Sequence, residues 1–456
     1  MSGGSKLRVL IVGASIAGPT AAYWFAKAGA RVTVIERFPQ LRTSGQNIDI
    51  RTVGVTVMRK MPGMEAAVRA KTVPMSGISF LNTSGRPIAT IKPSGNPDQQ
   101  ALISEYEILR GDLAKILYDM TKDDNNITYV FGEQISSIQQ HDDSNNNDGP
   151  VTVTFANNTL PPSEFDLVVA ADGATSRTRA LGLGCAVREH MRPQHQWAAY
   201  FSLPRDGLLD NDNNELSQLY SAPGGRLTAV APDGGARPGV ARATLMAHHP
   251  PPPPKSSFSS SSSSSSDSYP MQAFRKAAQR QDDNGASLKQ FIAEQWTNTG
   301  WKCDTIIKGM LQSHDFYASE ITQVKVPSLH RGRFVLVGDA GYAPGPTGTG
   351  TSLALVGAYV LAGEVGVKHR GDLRAGLRGY EEVMKPIVED LQRIPPGLGT
   401  VLAPQTWWGL WLRNVLLWVA WRTRVLGLAQ RVVGGLFAGA FAGAEKYTLS
   451  EYEWEA

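Results

Sequence analysis

Three glycine-containing segments hold the residues best suited to binding a phosphorylated ligand: GASIAG at Gly13–Gly18, ADGATSR at Ala171–Arg177 and GDAGYAPGPTGTG at Gly338–Gly350. The first follows an apolar run, Leu7–Val12. It precedes a small-residue helical stretch, Pro19–Lys27, then Gly29 and a β-branched run, Val32–Ile35, ending in Glu36. In such a strand–turn–helix unit the glycines let backbone approach a pyrophosphate, and the helix N-terminus supplies free N–H groups and partial positive charge. Glu36 stands at the spacing at which a carboxylate accepts hydrogen bonds from ribose hydroxyls. Gly13, Ser15 and Gly18 line the turn, with serine, small enough for close approach, in place of the middle glycine.

The third segment follows the buried-strand pattern RGRFVLV, which places Asp339 at a strand's carboxyl end, where open α/β sheets bind ligands. After it, Gly348, Gly350 and Thr351 open an apolar helix whose free N–H groups face a negatively polarised group. Asp172 and Arg179 belong to the second segment, and Arg110 begins LRGDLAKIL. Each has a plainer reading: Asp172 as a helix cap, Arg110 and Arg179 as surface ion pairs, and Asp49 with Arg51 as a local pair.

The elements that must position these residues alternate along the chain. Leu41–Arg51 reads as a loop into a short strand, Val55–Arg69 as a helix, and Ile78–Leu81 with Ile88–Ile91 as a hairpin around Asn82–Arg86. Ser104–Met120 carries Ile108, Leu113, Ile116 and Leu117 at helical spacing. Ile127–Phe131 and Val151–Phe155 are strand-like, with the polar stretch Asn125–Asp148 as a solvated connection. Trp197–Leu203, Gln218–Tyr220, Leu227–Val230 and Ala241–Ala247 form the floor of a second domain. A proline run and serine tract within 250–268 cannot bury a core and read as a surface insertion.

Composition narrows the class further. The chain has 456 residues and a net charge of +4 without a long basic tract, which argues against a polynucleotide partner. Cys185 and Cys303 have no close spacing to each other or to a histidine pair, so neither a zinc ribbon nor a disulfide scaffold is expected, and a reducing compartment is. His248 and His249 read as surface residues, and no metal site or GxSxG elbow is present. The apolar N-terminus is the first strand rather than a signal peptide.

In order and spacing, the three segments resemble the flavoprotein aromatic hydroxylases, the single-component FAD monooxygenases that include p-hydroxybenzoate hydroxylase. GQNIDIR and LRGDLAKIL resemble the tetracycline-inactivating members of that group. The resemblance covers roughly residues 7–390. It implies an α/β protein with a doubly wound FAD-binding domain (1–75, 101–190 and 315–395) interleaved with an α+β substrate domain on a mostly antiparallel sheet (76–100 and 191–314). A C-terminal helical region (396–456) follows.

By position, Gly13, Ser15 and Gly18 would hold the FAD pyrophosphate, Glu36 the ribose and Arg37 the adenine side. Arg110 would reach the phosphate and ribityl region and Asp339 the ribityl chain or pyrophosphate. Gly348, Gly350 and Thr351 would line the isoalloxazine, with Arg51 beside it. Asp172 and Arg179 would support FAD and contact NADPH. Tyr342 stands where many relatives have histidine, and the turn after Asp339 is one residue shorter.

The implied chemistry is NADPH (or NADH) reducing FAD, O2 forming a flavin hydroperoxide, and one oxygen atom passing to a hydrophobic aromatic, polyketide- or terpenoid-like molecule in natural-product biosynthesis. No side chain is needed as a covalent nucleophile. Gln46, Tyr200 and Tyr220 are the substrate-contact candidates. The alternatives are a flavin oxidase, reductase or halogenase, or a non-catalytic FAD-binding, membrane-associated protein.

In the tail, Trp407, Trp411, Val415 and Trp418 recur at helical spacing while Arg413, Arg422, Arg424 and Arg431 interrupt the apolar runs. No uncharged stretch there reaches the roughly 18 residues of a membrane span. Residues 407–441 therefore either pack over the substrate domain or lie in a membrane interface, with the Gly- and Ala-rich Val432–Ala444 suited to close packing, and the expected location is cytoplasmic.

Overall fold

The computed structural model describes residues 6–42, 45–72, 76–92, 104–140, 149–209, 216–233, 239–250, 269–280, 283–394, 397–423 and 446–455. Its first sheet has six strands. Arg8–Val12 lies at its centre, parallel to Arg31–Glu36 on one side and to Leu167–Ala170 on the other. Ile127–Phe131 extends the sheet beyond Arg31–Glu36, and Phe334–Leu336 extends it beyond Leu167–Ala170, both in parallel. The short His330–Arg331 closes the second edge antiparallel. Central strands such as Leu167–Ala170 are buried along their whole length, as the unbroken apolar run demands of a sheet covered on both faces.

Helices Ala17–Lys27 and Gly350–Gly363 cover one face and share its core. The other face packs against an antiparallel sheet of Ile135–Gln140, Val151–Phe155 and Ser163–Phe165. Ile135–Gln140 falls inside the stretch expected to be a solvated connection. With only Ile135 and Ile138 apolar, the strand is stabilised by pairing with Val151–Phe155 rather than by a pattern of its own.

The second sheet has seven strands in the order Tyr317–Val324, Met191–Pro204, Val240–His248, Arg226–Pro232, Leu216–Ala222, Gly77–Leu81, Pro87–Ile91. It is antiparallel except where Leu216–Ala222 runs parallel to Gly77–Leu81. Side chains alternate across it. Trp197, Phe201, Tyr220, Val230 and Leu245 enter a core with helices Tyr269–Ala278, Ala286–Trp296 and Cys303–Gln312. Tyr200, Ser217, Leu219, Ala229 and Thr244 face the other way, toward a small ribbon formed by Asn47–Asp49 and Glu107–Leu109.

That ribbon corrects the helical reading of Ser104–Met120. Glu107–Leu109 pairs with Asn47–Asp49, and the helix, Arg110–Asp119, begins only after it. Val55–Arg69 is likewise two helices, Val53–Lys60 and Met64–Arg69, separated at Pro62 and the left-handed Gly63 (φ 81°). In the tail, Trp407–Arg422 is one helix. Residues 446–455 return to the first core, where Tyr452 donates to Glu364 Oε1 (2.9 Å) and Trp454 packs on Trp24. The low-complexity tract 251–268, Arg424, Arg431 and Val432–Ala444 lie outside the described residues. Among the described residues one helix, Gly350–Lys368, is long and apolar enough to cross a membrane, but it is a buried core helix here.

Candidate cofactor cleft and adjoining cavity

The turn from Arg8–Val12 into Ala17–Lys27 closes against the start of the second glycine segment. Gly13 has φ 110°, and a Cβ there would sit 2.6 Å from the Ala171 carbonyl oxygen, so only glycine fits. Glu36 accepts from the Ala14 N–H (3.0 Å) and the Phe38 N–H (3.1 Å), which fixes its carboxylate at the lip of the turn. Arg110 donates to Ser15 Oγ (2.7 Å). Burial depresses the Arg110 pKa, nearby Arg42 adds to the effect, and Asp339 and Glu36 oppose it. One guanidinium is thus held within electrostatic reach of three of the residues singled out in the sequence.

Asp339 begins a short helix after Gly338, itself at φ 63°. Its side chain reaches solvent, yet the surrounding protein desolvates the carboxyl and raises its pKa against the pull of Arg110. A solvent-accessible but desolvated group lies in a cleft, not on a convex surface. Gly348 (φ 74°) shows open space beyond its backbone, with Asp49 Oδ2 the one atom within 4 Å of a notional Cβ, at 3.8 Å.

Asp49 and Arg51 do pair, with Arg51 Nε and an Nη donating to Asp49 Oδ2 at 3.0 and 2.8 Å. The pair stands beside the Gly348 loop. Ser352 locks it there by accepting from Arg51 N (2.8 Å) and donating to Arg51 O (2.7 Å). The next residue, Thr52, sits at φ 50°, ψ −133°, a strained backbone for a β-branched residue and one enforced by this lock. Bare glycine backbone at Gly13 and Gly348, an uncapped helix N-terminus at Ile16, and Arg110, Glu36 and Asp339 around one cleft fit FAD.

Next to the cleft is a cavity of about 260 Å³ between the ribbon and the seven-stranded sheet. Gln46 and Tyr200 line it. Gln46 Oε1, Asn47 Oδ1 and Ser217 Oγ are buried without a partner among the described residues, so three polar atoms in one cavity are available to a ligand. Burial pushes the Tyr200 hydroxyl up to about 12, and its ring stacks on Tyr317.

Glu107 and Arg242, which the sequence reading missed, also line the cavity. Glu107 lies directly opposite Asp49 in the ribbon. Burial first, and Asp49 second, push its carboxyl well above the ordinary range, while an Asn47 hydrogen bond (2.8 Å) and Arg51 hold it back. Arg242 donates to Asp233 (2.5 Å) and Asp315 (3.4 Å). The signal that could have found Glu107 was its place three residues before Arg110, legible only once Glu107–Leu109 is taken as a strand.

Tyr220 is a correction. It occupies the opposite face of its strand from Ser217 and Leu219, and its hydroxyl donates to Thr299 O (2.6 Å) inside the second core. Arg179 is another: fully buried, it donates to the Ala340, Ala174 and Val187 carbonyls, a tie between the second and third segments rather than a nucleotide contact. Asp172 accepts from Ser176 Oγ and from Thr178 N at the start of helix Arg177–Leu183, whose N-cap is Ser176, accepting from Arg179 N (2.8 Å), and burial raises the Asp172 pKa.

Arg37 is exposed over the Phe38 ring. Thr351 lies in the first turn of Gly350–Gly363. Tyr342 is buried under that helix, hydrogen-bonded to Tyr380 (3.1 Å), and so takes a packing place. His248 and His249 are half-buried rather than on the surface: His248 Nδ1 lies 3.3 Å from Gln196 Nε2, and His249 Nε2 accepts from Trp197 (3.3 Å).

Comparison with known proteins agrees with this geometry. Residues 6–393 match the family model described as an FAD binding domain. The chain is 32% identical over 94% of its length, and 94% of the relative's, to the FAD-dependent monooxygenase asL4 of Sarocladium schorii. It is 32% identical over 90% of both chains to the monooxygenase CTB7 of Cercospora beticola. Among solved structures it resembles the tetracycline destructase Tet(55), with 29% identity, a TM-score of 0.69 and coverage of 98% of this chain and 99% of that one. With its cleft built for FAD and relatives of this kind along nearly its whole length, the chain belongs to the single-component FAD-dependent monooxygenases.

Proposed function

We propose that the enzyme uses NADPH, or NADH, and O2 to insert one oxygen atom into a hydrophobic aromatic, polyketide- or terpenoid-like molecule in natural-product biosynthesis. The observation that carries this reading is the cavity beside the Gly348 loop, walled by the ribbon and the substrate-side sheet. At about 260 Å³ it lies just below the roughly 300–1,000 Å³ of sites for drug-sized ligands, which suits an aromatic unit of one or two rings. The names of asL4 and CTB7 support the reaction type, and that of Tet(55) is consistent with an aromatic polyketide substrate.

FAD, when bound, supplies the oxygen-activating redox chemistry. Glu36, Arg110 and the Gly13–Gly18 turn would hold the ribose and phosphates, Asp339 the ribityl side, and Gly348, Gly350 and Thr351, with the Asp49–Arg51 pair beside them, would line the ring. Leu219, Ala229, Ala231 and Ile78 keep the cavity dry, while Gln46, Asn47 and Ser217 orient polar groups of the substrate. Glu107, raised to about 8 and so protonated near neutral pH, is placed to donate a hydrogen bond to a substrate oxygen.

The reading assigns FAD to 1–75, 101–190 and 315–395 and substrate to 76–100 and 191–314, and it puts the enzyme in the cytoplasm with a peripheral membrane contact within 407–441. Anaerobic mixing of the purified holoenzyme with NADPH tests it: the flavin absorbance is expected to bleach and to return on admitting air. Flavin left oxidised by both NADPH and NADH, with and without aromatic ligands, would refute it.

A further inference from the structure

No residue of Val401–Arg422 lines the cavity. Among the described residues thirteen large apolar side chains are exposed, and ten of them lie between Val401 and Trp421. Five are tryptophans, from Trp421 at 44% to Trp407 at 72% exposed. Among the described residues, helix Trp407–Arg422 is held from one side. Leu410 is its buried residue, Arg413 donates to Ser221 Oγ (3.0 Å) and Leu402 O (2.9 Å), and Gln405, just before it, donates to His248 O (2.9 Å). Ser221 shares a strand face with Ser217 and Leu219 of the cavity, so the helix covers the cavity side of the seven-stranded sheet and turns its tryptophans outward.

A contiguous exposed apolar surface of this kind marks a docking site rather than an ordinary solvated face. Its chemistry selects the partner. Indole rings partition to the boundary between headgroups and acyl chains. The sequence from Leu391 to Ala444 contains five arginines and no aspartate, glutamate or lysine. Arg413 is held against the sheet and Arg393 lies 3.9 Å from Asp390, so the charge complementary to anionic headgroups comes from Arg422, exposed at the helix end, and from Arg424 and Arg431 in the sequence that follows.

We propose that the outer face of Val401–Arg422 docks on an anionic lipid surface, with the cavity side of the substrate sheet turned toward the membrane. The docking itself does not depend on the oxygenation reading, so the test uses no turnover. Full-length holoenzyme is floated with vesicles of phosphatidylcholine alone and of phosphatidylcholine with phosphatidylglycerol. The comparison protein is the triple variant Trp407→Ser, Trp411→Ser, Trp418→Ser, whose replaced side chains all lie exposed.

The expected result is about tenfold or greater enrichment of the wild type on the anionic vesicles. A blue shift of tryptophan emission should accompany it, and the triple variant should lose both while retaining bound FAD. Wild type left unfloated, equal flotation on neutral vesicles, or a triple variant that floats like wild type would each overturn the proposal. So would concentration-dependent dimerisation without flotation, which would assign the face to a second copy of the chain.

Discussion

Arg110 is the side chain on which the cleft's charge balance turns: it is half-buried, near another arginine, and opposed by Glu36 and Asp339. Replacing it with Met keeps the stem and removes the charge. Loss of a charge-assisted hydrogen bond costs about 1.5–3 kcal/mol, so FAD dissociation, followed by flavin fluorescence, is expected to weaken about ten- to hundredfold.

Glu107 makes a prediction about pH. Its carboxyl is raised in the folded protein, so the folded state holds a proton that the unfolded chain has already released. Stability from this group is complete below the ordinary carboxyl pKa and is lost as pH rises through the higher folded value. Glu107→Gln should flatten that alkaline loss of Tm, and an unchanged Tm–pH slope would contradict the account. The sequence showed Arg110, Glu36 and Asp339 because each sits in a motif of fixed spacing. It hid Glu107 and misassigned Tyr220, since which face of a strand a residue takes depends on pairing partners far along the chain.

Among the elements, helix Gly350–Gly363 is tightly fitted. A Cβ at Gly357 would lie 1.7 Å from the Tyr342 hydroxyl oxygen, and that hydroxyl donates to Tyr380, which in turn donates to Leu336 O (2.8 Å). Gly357→Ala is therefore expected to cost about 1–3 kcal/mol by overpacking, read as a fall in denaturation midpoint. Adding Tyr342→Phe should recover part of the loss, a non-additivity that independent sites would not show.

Long apolar strands and the first βα unit were legible at this scale because burial on both faces leaves an unbroken apolar run. The ribbon strand Glu107–Leu109 and the strand Ile135–Gln140 were not. Three residues carry too little periodicity to be told from the start of a helix, and a polar strand is visible only through its partner.

The whole molecule places two cores on either side of the cleft and cavity, one around the parallel sheet and one between the antiparallel sheet and its helices. FAD binding should stabilise the fold by mass action. Excess FAD at about 100 times Kd adds about 2.7 kcal/mol, so the Tm of apoprotein should climb with FAD concentration, and a flat titration would deny the site. The return of residues 446–455 to the first core escaped the sequence reading, because a short extended tail carries no period to betray its destination.

Oxygen insertion by a flavin-loaded cleft beside a small cavity is read out by turnover under 18O2 with NADPH and a panel of phenolic and polyketide-like aromatics. The expected product carries one 18O atom and forms in step with NADPH consumption. NADPH oxidation that yields only hydrogen peroxide, with no labelled product across the panel, would contradict it.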